Sequence, residues 1–142
     1  SAQRSPFSSL ETAEELLVPP LKKLVEYAHS RGVIFTLHSC GNGLGLVPAI
    51  KKTGADAWQV QIDALDGEAA YEACGDDLMM ESYPLIPEGI HGEALEAFLR
   101  DTMKTFCICH RGLIDFYDFD ADRWPETRKL IYKVGRELAG EE

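Results

Sequence analysis

Apolar positions along this chain alternate between two spacings, one typical of helices and one typical of short buried strands. Around Leu21, Leu24, Val25 and Ala28 the apolar residues recur three to four positions apart, and glycine follows at Gly32. Glycine takes the left-handed conformation that closes many helices. The next five residues, VIFTL, are all apolar or β-branched. The pattern therefore predicts a helix, a glycine turn and a strand in direct succession.

The same succession occurs three more times along the chain. Each helical segment ends at a glycine, and the strands that follow are predicted over residues 55–61, 76–82 and 113–119. A final helix is predicted from about Pro125 to Leu138. Strands that alternate with helices through short turns form parallel sheets with right-handed crossovers, covered on both faces. The predicted fold class is α/β, with four parallel β/α units.

Four β/α units fit two architectures. One is a small open, doubly wound sheet. The other is half of an eight-stranded (β/α)8 barrel, which as a whole has about 250 residues. The 142 residues suit one domain, which we place at 1–142. Because the chain starts with Ser1 rather than Met, we expect it to be a fragment of a longer chain.

The carboxyl ends of the strands, with the loops that follow them, form the functional edge of either architecture. The first strand leads into His38-Ser39-Cys40-Gly41-Asn42. Imidazole and thiolate together favour zinc, although a catalytic zinc site has three protein ligands. Glu81 ends the third strand on the same side and is the candidate for the third ligand. The spacing also fits ordinary loop packing, so a loop without metal stays an alternative.

Other side chains at this edge are candidates for substrate contacts. They are polar or aromatic and follow a predicted strand, namely Asn42, Gln61, Asp63, Tyr83 and Asp118. The remaining cysteines precede strands and are expected at the opposite edge, where they serve packing. They are Cys74, Cys107 and Cys109, with His110 beside the last.

Charge narrows the classes of partner. The formal net charge is −10, from 24 acidic and 14 basic residues, with no cluster of lysine and arginine. This balance argues against nucleic acid and anionic membranes as partners. The apolar runs are far shorter than the roughly 20 residues of a membrane span. Four scattered cysteines do not form a secreted disulfide framework, and a cytoplasmic location is expected.

From about Pro6 to Glu142 the chain resembles the C-terminal half of the uroporphyrinogen decarboxylase superfamily, which also contains zinc-dependent, corrinoid-linked methyltransferases. The matching segments are residues 18–42, 46–61 and 128–138. The family is built as a (β/α)8 TIM barrel. The resemblance therefore implies that this chain supplies roughly strands five to eight of such a barrel.

The His-x-Cys-Gly form of the first strand end is similar to the methyltransferase branch. In that branch His and Cys bind zinc with a second Cys near the last strand, and the zinc activates a thiol, typically coenzyme M, to accept a methyl group from a corrinoid protein. The resemblance implies zinc at His38 and Cys40, no organic cofactor on this chain, and a corrinoid protein or the missing N-terminal half-barrel as partner. The predicted strand after Gly112 has no cysteine, so Glu81 or Asp118 would replace the second Cys, unless an irregular loop brings in Cys107 or Cys109.

Two alternatives stay open. The first is uroporphyrinogen decarboxylase itself, a lyase of porphyrin biosynthesis that uses no metal and holds its tetrapyrrole carboxylates with arginines. Five arginines lie beyond Arg31, and Arg123 is the nearest to a strand end. The second is a non-catalytic half-barrel that forms a homodimer, because its edge strands are open. We expect the parent protein to be an enzyme and this chain alone to be inactive.

Overall fold

The structure, a computed structural model, describes residues 6, 8–109, 112–115 and 117–140, with the backbone alone for Ile108 and Cys109. The chain divides into two compact units, Ser1–Glu81 and Ser82–Glu142. The helices and strands of the described residues are α1 Leu10–Leu16, α2 Val18–His29, β1 Thr36–Ser39, α3 Val47–Thr53, β2 Ala57–Val60, α4 Gly67–Cys74, β3 Met79–Ser82, α5 Gly92–Met103, β4 Leu113–Ile114 and α6 Trp124–Leu138. None of these helices has the length and apolar composition needed to cross a membrane.

The four strands form one parallel sheet in the order β1-β2-β3-β4. Thr36 pairs with Ala57, and Ala57 pairs with Met79, so the first three strands start at the same level. The α/β fold class with four parallel strands is confirmed. A doubly wound sheet reverses its strand order at a switch point, whereas the order of the described strands follows the chain without reversal.

In the first unit, the core lies between β2 and the helices that precede and follow it. Val25 of α2, Ile50 of α3 and Trp58 of β2 are all buried. Three of the four predicted glycine turns are present, since Gly32, Gly54 and Gly75 have φ values of 70°, 79° and 55°. A side chain is strained at such angles, which explains why glycine follows these three helices.

The first strand starts later than predicted. β1 begins at Thr36 rather than Val33, and Val33 and Ile34 are 54% and 72% exposed. Contacts distant in sequence hold the residue just before β1, because the N–H of Phe35 donates to the Asp56 carboxylate at 2.7 Å and its carbonyl accepts the N–H of Asp56 at 3.0 Å. The expectation that both faces of the strands are covered is wrong for β1, whose Thr36 and His38 are exposed.

In the second unit, α5 and α6 enclose the core of Leu95, Leu99, Met103, Ile131 and Val134. The helical face predicted for α5 is therefore the buried one. The α-helix is shorter than predicted. It ends at Met103, and the chain continues as a π-helix over Lys104–Cys109.

The fourth strand is also shorter than predicted, with two residues instead of seven. The N–H of Asp115 still donates to the Ser82 carbonyl at 2.7 Å. Beyond it, the Asp118 carboxylate accepts the N–H of Asp120 at 2.9 Å and turns the backbone out of the extended path. The last helix, Trp124–Leu138, matches its prediction to within one residue.

Candidate functional site

His38 and Cys40 lie side by side at the carboxyl end of β1. His38 Nε2 and Cys40 Sγ are 3.1 Å apart and share a hydrogen bond. Both residues are exposed, so each reaches solvent without a change in the surrounding packing. The i and i+2 positions leaving a strand project to one side, which is why a spacing of two residues brings the two donors together.

The residue between them projects the other way and is fixed in place. Ser39 Oγ accepts the indole N–H of Trp58 at 2.8 Å, and Trp58 is fully buried. Gly43 packs against the same two side chains, since a Cβ built on it would lie 2.7 Å from Ser39 Oγ and 3.0 Å from a ring carbon of Trp58. The close approach of the loop backbone needs glycine at this position.

Two side chains order the loop after Cys40. The N–H of Gly41, a residue with φ 73°, donates to Gln61 Oε1 at 2.8 Å, which ties the loop to the end of β2. Asn42 Oδ1 accepts the N–H of Leu44 at 3.1 Å and begins the 3₁₀ turn Leu44–Leu46. The predicted substrate residues Asn42 and Gln61 thus hold the loop that carries Cys40.

Glu81 lies in the same row of the sheet as His38. His38 pairs with Gln59, and Gln59 pairs with Glu81, so the three side chains project from one face of three neighbouring strands. Gln59 Nε2 donates to Glu81 Oε1 at 3.0 Å. Neighbouring strands are about 4.8 Å apart, which puts the backbone of Glu81 about 9.6 Å from that of His38.

The donor pair meets the geometric demand of zinc closely. Bonds of about 2.0 Å to imidazole nitrogen and about 2.3 Å to thiolate, at a tetrahedral angle, separate the two donor atoms by about 3.5 Å. The separation of 3.1 Å between His38 Nε2 and Cys40 Sγ is about 0.4 Å shorter, a difference that small rotations of two exposed side chains remove. Within the part of the chain that the structure describes, no three His, Cys, Asp or Glu side chains are grouped closely enough to hold a metal ion. Glu81 is therefore not in contact with the pair.

The other cysteines have a different environment. Cys74 is buried in α4, and burial raises the pKa of its thiol. Burial also raises the pKa of the Cys107 thiol in the π-helix. A raised pKa lowers the thiolate fraction, so these two thiols are poor nucleophiles. The Cys109 side chain and His110 lie outside the described residues.

The remaining predicted substrate residues are spread over both units. Asp63 is exposed on the 3₁₀ turn Ile62–Ala64 of the first unit. In the second unit, Tyr83 is half-buried and packs edge-to-face on Phe119, with their ring centroids 5.2 Å apart. Within the first unit, the structure joins Gln61 to the loop of Cys40 through the N–H of Gly41.

Asp118 is part of a buried ion pair in the second unit. Arg123 donates from Nε and Nη2 to its two carboxylate oxygens at 2.8 and 3.0 Å, and the Thr127 hydroxyl donates at 2.6 Å. The Arg123 guanidinium, followed by the Thr127 hydroxyl, lowers the pKa of Asp118 to about 2. Arg123 also donates from Nη1 to the carbonyls of Pro87 and Ile90, so its charge faces protein rather than solvent.

Two neighbours of the pair, Gln59 and Trp58, are not among the site residues that the sequence predicts. The alternation in residues 55–61 does place Gln59 on a different face from Trp58. The partners of both residues depend on the strand register, which that alternation does not specify.

Comparisons of this chain with protein-family models, with curated proteins and with solved structures found no match.

Proposed function

We propose that the carboxyl edge of the first unit binds zinc through His38 and Cys40. The observation that carries this proposal is the 3.1 Å separation of two exposed donors, His38 Nε2 and Cys40 Sγ, at the end of a parallel strand. Imidazole and thiolate are the donor types that zinc prefers. Their fixed support by Ser39 and Gln61 favours a preformed half of a metal site, since ligands that are already ordered lose less entropy on binding.

The protein residues have distinct roles in this proposal. His38 and Cys40 hold the metal, and Cys40 gives up its thiol proton when it does so. Glu81 is the proposed third ligand, and Gln59 orients its carboxylate through the 3.0 Å hydrogen bond. Bound zinc supplies Lewis acidity that keeps a coordinated thiol deprotonated at neutral pH.

We further propose that the parent protein is a zinc-dependent methyltransferase that acts with a corrinoid protein, and that this chain is the second half of its barrel. The support is the resemblance of the His-x-Cys-Gly strand end to that branch and the uninterrupted parallel order of the strands, which is also the order of consecutive barrel strands. The decarboxylase alternative stays a prediction. Its nearest strand-end arginine, Arg123, is 4% exposed and paired with Asp118.

Zinc content tests the metal site directly. The purified chain is loaded with zinc, dialysed, and analysed for zinc per chain, beside Cys40→Ser and the control Cys107→Ser. The expected result is near-stoichiometric zinc in the wild type and the control, with loss in Cys40→Ser. Zinc retained equally by all three proteins, or by none, would overturn the proposal for this chain.

A second titration tests Glu81. Cobalt(II) replaces zinc, and its visible spectrum reports the number and type of ligands. Glu81→Gln is expected to change the spectrum and weaken binding, and Gln59→Leu is expected to weaken binding by about ten-fold or more, as loss of an outer hydrogen bond does in other metal sites. A spectrum that is the same in wild type and Glu81→Gln would remove Glu81 from the site and leave His38 and Cys40 in it.

One observation also supports association of this chain through β1. Five exposed apolar side chains lie on α2, just before it, or in the segment that leads into β1, namely Leu17, Leu24, Tyr27, Val33 and Ile34. An open strand edge flanked by apolar side chains is a typical association site. We propose that a second copy covers it in the isolated chain, in place of the missing half-barrel. Sedimentation analysis is expected to show a dimer that Ile34→Lys dissociates, and a wild-type monomer would refute this.

A further inference from the structure

Three aromatic rings form a cluster at the carboxyl ends of β3 and β4, within the second unit. Tyr83 follows β3, and Tyr117 and Phe119 follow β4. The centroid of the Tyr117 ring lies 5.0 Å from that of Phe119 and 6.1 Å from that of Tyr83, and the third distance, Tyr83 to Phe119, is 5.2 Å. We call these three residues the aromatic corner.

The rings are steeply inclined to one another. The interplanar angles are 62°, 78° and 87°, values that three rings bordering one corner would have. The centroids are close enough for a small cation to lie within about 6 Å of all three, and cation–π attraction acts where it lies over a ring face. The arrangement therefore suits a compact, rounded group better than a flat one.

The corner is open to solvent. Tyr117 is 50% exposed and Phe119 is 67% exposed, although both contact other aromatic rings. Neighbouring large aromatic side chains that stay this exposed mark a binding surface more often than isolated exposed residues do. Tyr83 is half-buried and supports the other two.

The acidic residues near the aromatic corner favour a cationic ligand over an anionic one. Between Gly112 and Asp122 the sequence has four aspartates and neither lysine nor arginine. Arg123, which follows this segment, is paired with Asp118, and the whole chain has a formal net charge of −10. An anion is repelled here, and a cation is attracted both by the carboxylates and by the faces of the rings.

A ligand that combines positive charge with apolar bulk satisfies both demands. An ordinary ammonium ion is compact and strongly hydrated, so it loses much hydration at an apolar surface. A methylated ammonium group spreads its charge over methyl groups and is the cation that aromatic cages recognise. We propose that the aromatic corner binds a methylated ammonium group. The proposal does not depend on zinc.

Choline and its neutral isostere 3,3-dimethylbutan-1-ol test the proposal. Both carry three methyl groups and a hydroxyl, and they differ in charge. Binding is followed by saturation-transfer NMR and by titration of the ring resonances of Tyr117 and Phe119. Choline is expected to bind with millimolar affinity, and the isostere about ten-fold more weakly. Equal affinity would overturn the proposal, because the corner would then be a merely apolar surface, and so would the absence of choline binding.

Variants locate the binding. Phe119→Leu and Tyr117→Leu keep an apolar side chain and remove the ring, and each is expected to weaken choline binding about ten-fold. Tyr132→Leu is the control, because Tyr132 is 60% exposed on α6 and outside the corner. Circular dichroism checks that the variants are folded. An unchanged affinity in both corner variants would place choline elsewhere and overturn the assignment.

The methylated ammonium can belong to a small molecule or to a modified lysine side chain. The same titration with a short neutral peptide that contains trimethyllysine distinguishes the two sources. Tighter binding of choline than of the peptide supports a small-molecule ligand, and tighter binding of the peptide supports a protein one. Failure of the zinc experiments would leave this result unaffected, since no metal takes part in it.

Discussion

Trp58 donates its indole N–H to the hydroxyl of Ser39 at 2.8 Å, directly below the pair formed by His38 and Cys40. Ser39 belongs to β1 and Trp58 to β2, so one side-chain hydrogen bond joins the two strands at the level of the candidate metal site. The orientation of both donors therefore depends on a contact that neither of them makes.

Ser39→Ala leaves the indole N–H of a fully buried tryptophan without this acceptor. We expect the free energy of unfolding to fall by about 1–3 kcal/mol, the usual penalty for an unsatisfied buried donor. Urea denaturation measures it. Ser82→Ala is the matched control, since the hydroxyl of buried Ser82 donates to the neighbouring Tyr83 carbonyl over a longer distance of 3.4 Å. An equal loss in both variants would show that the bond to Trp58 contributes little.

Gly43→Ala is expected to displace the loop that carries Cys40. The added methyl group would lie 2.7 Å from Ser39 Oγ, closer than real Cβ contacts. We expect a loss of about 1–3 kcal/mol in unfolding free energy, typical of overpacking, together with weaker zinc binding. Gly45→Ala is the control, because its nearest neighbour is 3.9 Å away, at Pro6. Thermal denaturation and zinc titration of the two variants check this prediction. Equal stability and equal zinc affinity in Gly43→Ala and Gly45→Ala would contradict it.

The parts of the fold that were predicted correctly depend on short-range sequence patterns. Helix faces such as Leu95 and Leu99 follow from a spacing of three to four residues, and the turns at Gly32 and Gly54 follow from the left-handed conformation that glycine accepts. The strand boundaries were missed because side chains distant in sequence set them. The Asp56 carboxylate binds the Phe35 N–H, a contact that no local window contains.

In the candidate site, too, the local feature was predictable and the long-range one was not. The proximity of His38 and Cys40 was predictable, since two residues that leave one strand at positions i and i+2 share a side. The row that joins His38 to Glu81 through Gln59 depends on the register of three strands. Register is fixed by packing across the whole sheet, so the sequence pattern indicated the strands but not their alignment.

Asp56→Ala is expected to destabilise the amino end of the sheet. Its carboxylate accepts the Phe35 N–H at 2.7 Å and contacts His29 Nε2 at 2.8 Å. We expect a loss of about 1–2 kcal/mol in unfolding free energy, the range for a hydrogen bond to a charged group near the surface. Asp56→Asn keeps an oxygen acceptor for Phe35 and is expected to lose less. Urea denaturation at pH 7 compares the variants, and a larger loss in Asp56→Asn would contradict the role of the backbone contact.

The same carboxylate predicts a pH dependence. The N–H of Phe35, followed by His29, lowers the pKa of Asp56 below its usual 3.8. A lowered pKa in the folded state stabilises the fold above the unfolded pKa, and this stabilisation is lost as the pH falls through the folded value. The difference in unfolding free energy between wild type and Asp56→Ala should therefore shrink from pH 6 to pH 3. A difference that stays constant over this range would refute the lowered pKa of Asp56.

Loss of the ion pair between Asp118 and Arg123 is expected to lower the free energy of unfolding more than any of the preceding substitutions. Arg123 is 4% exposed, and Asp118→Asn leaves its buried guanidinium without the carboxylate that it contacts directly. Removal of one partner of a buried pair costs about 3–5 kcal/mol. Urea denaturation at pH 7 checks this value. Asp122→Asn is the control, because Asp122 is exposed and lies in the same turn.

A fall in pH should lower the free energy of unfolding of the wild type more than that of Asp118→Asn. The pKa of Asp118 falls from 3.8 to about 2 on folding, with the Arg123 guanidinium as the main cause, and this corresponds to about 2 kcal/mol of stabilisation above the unfolded pKa. By pH 3 about half of it is lost, because the unfolded carboxyl is then largely protonated while the folded one is still ionised. The stability of wild type relative to Asp118→Asn should thus fall by about 1 kcal/mol between pH 6 and pH 3. Parallel pH profiles of the two proteins would show that Arg123 does not hold the ionised form of Asp118.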